Sequence, residues 1–144
     1  MANKMTDGYL DNNKQYASGQ TVHKPNYPGK QPINPAKHVA VVACMDARLT
    51  VEDVLGLHSG EAHIIRNAGG LATDDAIRSL VISQRLLGTE EVIVIEHTGC
   101  GMLTFEDGPV QASIAESTGT TVDLPLHAFP DLESNQFRNA RRAS

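Results

Sequence analysis

The sequence predicts an α/β fold, an open doubly wound parallel sheet flanked by helices. Two apolar runs, Val39-Ala40-Val41-Val42-Ala43 and Val92-Ile93-Val94-Ile95, are too continuous for strands with one wet face and read as buried parallel strands. Between them the pattern alternates strand, helix, strand, helix, strand, the signature of successive crossover units. Right-handed crossovers then put the Val39 strand in the middle, and open sheets of this kind hold ligands beyond the carboxyl ends of their strands.

Taken in order, Thr6 is placed to cap a short helix whose Tyr9, Leu10, Tyr16 and Ala17 fall roughly on one face, ended by Gly19. From Gln20 to Ala36, four prolines (Pro25, Pro28, Pro32, Pro35) and Gly29 forbid regular helix and predict an extended arm. The expected organisation is therefore residues 1–38 as N-terminal helix and proline-rich arm, and residues 39–144 as the α/β domain. After the first strand, Thr50 reads as an N-cap with Glu52 and Asp53 in the first turn, and Val54, Leu55 and Leu57 as the buried side of a short helix. Glu61 to Arg66 is the next strand, leading into Asn67-Ala68-Gly69-Gly70. Thr73-Asp74-Asp75 caps a longer helix to about Leu87, with Ile77, Leu80, Val81, Gln84 and Leu87 as its inward stripe and Gly88 as its stop. The third strand, Glu91 to Glu96, follows. Beyond Gly101 the signal fades: residues 106–109 read as a turn, 110–117 as a helix, and 124–144 contain no strand pattern.

Composition sets outer bounds. The chain has 144 residues, enough for one core, and is 40% hydrophobic and 20% charged, as in a globular domain. No apolar stretch approaches the roughly 20 residues needed to span a bilayer, and Met1 to Met5 lead into polar sequence, so a cytoplasmic address and no membrane partner are expected. A net charge of −5, with no basic patch interleaved with aromatics, speaks against nucleic acid. Both cysteines, Cys44 and Cys100, lie in motifs at strand ends, where metal binding or catalysis is a better use than a disulfide in a reducing compartment.

The first strand breaks off into Cys44-Met45-Asp46-Ala47-Arg48. If the extended geometry persists, Cys44, Asp46 and Arg48 share one face. The third strand runs into His97-Thr98-Gly99-Cys100-Gly101, where a single turn presents both His97 and Cys100. Two thiolates and an imidazole form a soft set suited to Zn²⁺. Three protein ligands leave a fourth position for water, whose pKa the metal lowers from about 15.7 toward neutrality. The backbone amides of Gly69, Gly70, Gly99 and Gly101 are candidate donors to an anion there. The remaining histidines, His23, His38, His58, His63 and His127, have no partner at metal spacing and read as exposed or core residues.

Cys44-x-Asp46-x-Arg48 followed by His97-x-x-Cys100 resembles the zinc signature of the β-class carbonic anhydrases, and Arg66-Asn67-Ala68-Gly69-Gly70 resembles the segment that family carries between them. The likeness covers about Val39 to Phe105. It implies Zn²⁺ held by Cys44, His97 and Cys100, with Asp46 and Arg48 as a catalytic dyad. Asp46 either binds the metal as a fourth ligand or pairs with Arg48 and leaves the metal open. The implied activity is that of a zinc lyase hydrating carbon dioxide reversibly to bicarbonate through zinc-bound hydroxide. Carbonyl sulfide hydrolase and carbon disulfide hydrolase share the fold and ligands and are the nearest alternatives, and the Gly19 to Gly70 stretch is at least as similar to carbonyl sulfide hydrolase. A non-catalytic zinc-stabilised α/β module closed by Asp46 is a third reading. Members of the family continue past the region of Arg138 with further C-terminal strands, which this chain is expected to lack; its Val92–Ile95 strand would then be an apolar sheet edge, predicting a homodimer or higher homo-oligomer with the N-terminal arm crossing to the partner.

Overall fold

The computed structural model describes residues 4–19 and 31–144. The chain divides into two compact units, residues 1–32 and 33–144. In the first, helix α1 spans Lys4–Ala17, and Gly19 follows at φ 78. Thr6 lies inside the first turn of α1 instead of capping it, because the helix begins two residues earlier. Tyr9 and Leu10 are exposed. The expected proline-rich arm falls mostly on residues 20–30, outside the described residues.

The second unit is built on a three-stranded parallel sheet of β1 (Val39–Cys44), β2 (Ala62–Asn67) and β3 (Glu91–Ile95), in the order β2-β1-β3. Val39 pairs with Ala62 on one side and Glu91 on the other, and the register runs on to Cys44 opposite Asn67. The strands therefore end level, and their carboxyl ends open onto one place. Alternation divides β1 between two cores: Ala40 and Val42 pack with Leu80, Ile77 and Ala143, while Val41 and Ala43 pack with Val51 and Leu55. Val41, Val42 and Val51 are fully buried, each contributing roughly 1.5–3 kcal/mol of hydrophobic free energy.

The helices covering these faces depart from expectation in detail. Thr50 precedes α2 (Val51–Leu55) in extended conformation but makes no side-chain cap bond, and Val54 points to solvent. Thr73 does cap α3 (Asp74–Leu86), accepting from the Ala76 N–H. The buried stripe of α3 is Ala76, Leu80 and Ser83, with Ile77 beside it; Val81 and Gln84 are exposed. Burial of Ser83 is made tolerable by its hydroxyl, which bonds His63 Nδ1 at 2.7 Å and Thr89 Oγ1 at 2.8 Å. His38, at φ 54, meets the Gly88 carbonyl through Nδ1 at 2.7 Å. Downstream, α4 begins at Asp107 and runs to Thr118, absorbing residues 107–109 of the expected turn and leaving Glu106 as its extended N-cap, and residues 124–144 hold a helix, α5 (Leu132–Ala143), that the sequence pattern did not announce.

Candidate metal centre

Extended geometry stops at Cys44, so Asp46 and Arg48 reach the end of the sheet through a tight turn and not as further strand residues. That turn is held by guanidinium groups. Arg48 donates from Nε and Nη2 to the two Asp46 oxygens, at 2.9 and 2.7 Å, and its backbone N–H adds a third bond to Oδ1. The forked pairing holds the Asp46 carboxyl well below the usual carboxylate range, and the carboxylate in turn raises Arg48. Arg48 Nη2 also reaches the Gly99 carbonyl at 3.0 Å, tying the end of β1 to the loop after β3. From β2, Arg66 donates to the Cys44 carbonyl at 2.9 Å and to the Asp46 carbonyl at 2.7 Å.

Cys44, His97 and Cys100 converge here, with one donor atom from each lying within 4.8 Å of the others. The two sulfurs are 3.8 Å apart, 4% and 1% exposed respectively by residue, and both are free thiols. Burial pushes the Cys100 thiol up, so a thiolate here calls for a compensating cation. His97 Nδ1 lies 3.1 Å from the Thr98 carbonyl, which only accepts; Nδ1 therefore carries the proton and Nε2 presents its lone pair. That Nε2 is buried and has no hydrogen-bond partner, its distance of 3.8 Å to Asp46 Oδ2 being too long for one. A buried, unsatisfied lone pair on a ring that clusters with two thiols is costly as it stands and is what a soft metal ion would satisfy.

Around these donors Leu71, Met102 and Phe129 form an apolar wall, with Leu49, Leu103 and Phe105 packed against it. Gly70 (φ 63) passes so close to the sheet that a Cβ there would meet Cys44 N at 2.8 Å, the Ala43 carbonyl carbon at 2.9 Å and Ile95 O at 3.0 Å. Gly69 is buried against Met102 and Phe129, whereas Gly99 and Gly101 are exposed on either side of Cys100.

A family profile described as carbonic anhydrase matches residues 39–134. Beta-carbonic anhydrase 1 of Mycobacterium tuberculosis is 50% identical over 138 residues, covering 96% of this chain and 80% of that protein. The chain belongs to the β-carbonic anhydrase family. The solved carbonic anhydrase of Streptococcus mutans matches with a TM-score of 0.84 at 37% identity, over 98% of this chain and 82% of that one. A carbon disulfide hydrolase of Acidithiobacillus thiooxidans is also similar, 46% identical over 94 residues, which is 64% of this chain and 46% of that protein. Similarity to proteins named for two activities fits a site whose donors alone do not select a substrate.

Three residues near this β-carbonic anhydrase site carried no sequence signal. Glu96 sits between β3 and His97, and its Oε1 accepts from Asn135 at 2.8 Å and Asn139 at 2.7 Å. Both asparagines are buried on α5. Their spacing, with Leu132 and Ala143, is that of one helix face, and a search that admitted Asn as an inward residue could have found it.

Proposed function

We propose that this chain is a zinc lyase catalysing the reversible hydration of carbon dioxide to bicarbonate, with Cys44, His97 and Cys100 holding Zn²⁺. The observation that carries the reading is the meeting of two buried thiols with the unsatisfied Nε2 of His97 at the ends of two strands. The donor set fits zinc by softness and number. When bound, zinc supplies Lewis acidity that makes hydroxide available from water near neutral pH.

The chain's own groups prepare that chemistry. Both Asp46 oxygens accept from Arg48, a pairing that competes with use of Asp46 as a fourth donor and supports a catalytic site over a closed structural one. Arg48 thereby sets whether the site is open. Leu71, Met102 and Phe129 give the donors an apolar flank that suits a small linear substrate and keeps bulk water back. Of the four candidate amide donors, Gly99 and Gly101 are exposed beside Cys100 and are the ones we assign to the product anion, while Gly69 and Gly70 serve close packing.

The second reading, hydrolysis of carbon disulfide or carbonyl sulfide on the same site, is favoured by the similarity to carbon disulfide hydrolases. Stopped-flow carbon dioxide hydration run beside sulfide release from both sulfur substrates, with and without a chelator, separates the two. The proposed function requires chelator-sensitive hydration. Chelator-sensitive sulfide release without hydration would replace it with the second reading.

The proposal extends to a cytoplasmic address and to a homodimer or larger assembly, with the N-terminal arm crossing to the partner. Support for assembly comes from β3, which is a sheet edge among the described residues, and from the exposed Tyr9 and Leu10. No helix among the described residues is long and apolar enough to cross a membrane.

A further inference from the structure

Among the described residues, two buried side-chain atoms have no hydrogen-bond partner, and they belong to consecutive residues: Glu96 Oε2 and His97 Nε2. The two side chains go to different places. His97 faces Asp46 and the thiols, whereas Glu96 reaches α5. Burial pushes the Glu96 carboxyl up, against the opposing effect of the two amides.

Its partners explain the placement. Asn139 is 6% exposed and makes three bonds: Nδ2 to Glu96 Oε1 at 2.7 Å, Nδ2 to the Gly70 carbonyl at 3.1 Å, and Oδ1 from the Ala72 N–H at 3.1 Å. One amide thus joins the residue before His97 to the Gly70–Ala72 segment, and Gly70 lies directly on the backbone of Ala43, Cys44 and Ile95. Asn135 adds a second bond to the same Glu96 oxygen at 2.8 Å. Glu96, held by these two amides, thus anchors the backbone from which His97 departs toward Asp46 and the thiols.

We propose that Asn139, assisted by Asn135, is a positioning residue of the metal centre: through Glu96 and Gly70 it sets the orientation of His97 Nε2 relative to Cys44 and Cys100. The inference rests on the zinc reading of that cluster and adds to it a helix that contributes no ligand. Outer groups that orient ligands typically change metal affinity by about 10–100-fold when removed.

The test is zinc affinity by competition with a chromophoric chelator, on the parent chain, Asn139→Ala and Asn135→Ala, at a temperature where circular dichroism shows each to be folded without metal. Cobalt(II) absorption of each variant reports the ligand geometry independently of activity. The expected result is a loss of about 10–100-fold for Asn139→Ala with an altered cobalt spectrum, and a smaller loss in the same direction for Asn135→Ala. Parent affinity and an unchanged spectrum in a folded but less stable Asn139→Ala would show a merely structural bond and overturn the inference. Should Asn139→Ala not fold, Asn135→Ala decides, because it removes one contact to Glu96 and leaves the Gly70 and Ala72 bonds intact; parent affinity there overturns the inference. A parent chain that binds no zinc overturns the metal reading itself, and this inference with it.

Discussion

At the end of β1, Cys44 and Asp46 sit in a turn clamped by two guanidinium groups, one two residues on and one from the adjacent strand, and much of that clamp faces solvent. At the end of β3, His97 follows a glutamate held by two buried amides that come 39 and 43 residues later in the chain. Charge-assisted bonds at a surface are screened and replaceable by water, so losing one costs little beyond the bond. Buried amides leave unsatisfied groups behind when cut, which costs more than the bond contributed. The two ends deliver similar donors, yet the β3 end should be the fragile one.

Gly70 is where the two ends touch, and its substitution should have the largest effect on stability. Gly70→Ala adds a Cβ about 3 Å from three backbone atoms, which cannot rotate aside, at a φ of 63 that alanine resists. The expected loss is about 3 kcal/mol from overpacking and backbone strain together, read as a shift in urea midpoint. A loss under about 1 kcal/mol would show that the sheet gives way locally, and that the two ends are less rigidly joined than the contacts imply.

Arg66→Lys sharpens the comparison at the β1 end. An ammonium cannot span the Cys44 and Asp46 carbonyls as the fork does, but water can replace the missing bond. Zinc affinity should fall by less than about 10-fold, below the effect of Asn139→Ala. A larger fall than that variant shows would reverse the ranking of the two ends.

The smallest effect concerns the apolar wall. Asp107 accepts the backbone N–H groups of Leu126, His127 and Ala128 and so seats Phe129 against the cluster. Those bonds lower its pKa in the folded chain, so its contribution is present above the unfolded value of about 3.9 and is lost as pH falls through the folded value. Asp107→Asn should therefore be less stable than the parent at pH 7, with the gap narrowing below about pH 4. A gap that stays constant across that window would mean that the carboxylate's charge is not what the loop uses.

The same contrast explains what could be read in advance. The sheet order, the Cys- and His-bearing strand ends and the Asp46–Arg48 pair were legible because local patterns encode them: β1 is apolar throughout, and Cys44, Asp46 and Arg48 lie at and just beyond its end. Helix α5 was not, because its two most buried positions are asparagines and hydrophobic periodicity does not register them. The stripe of α3 was misread at Val81 and Gln84 because the inward positions are the small Ala76 and Ser83, and Ser83 is buried through its bonds to His63 and Thr89, not through apolarity. Long-range polar satisfaction is a property of the folded surfaces, and it leaves little trace in one segment's pattern.

Zinc X-ray absorption tests the central claim, that donors from both strand ends meet on one metal. The parent chain, loaded with one equivalent of zinc, should show two sulfurs at about 2.3 Å and at least one imidazole nitrogen at about 2.0–2.1 Å. Cys44→Ser and Cys100→Ser should each leave a single sulfur. A sulfur count that is unchanged in either variant, or a parent spectrum with oxygen and nitrogen donors alone, would contradict the account.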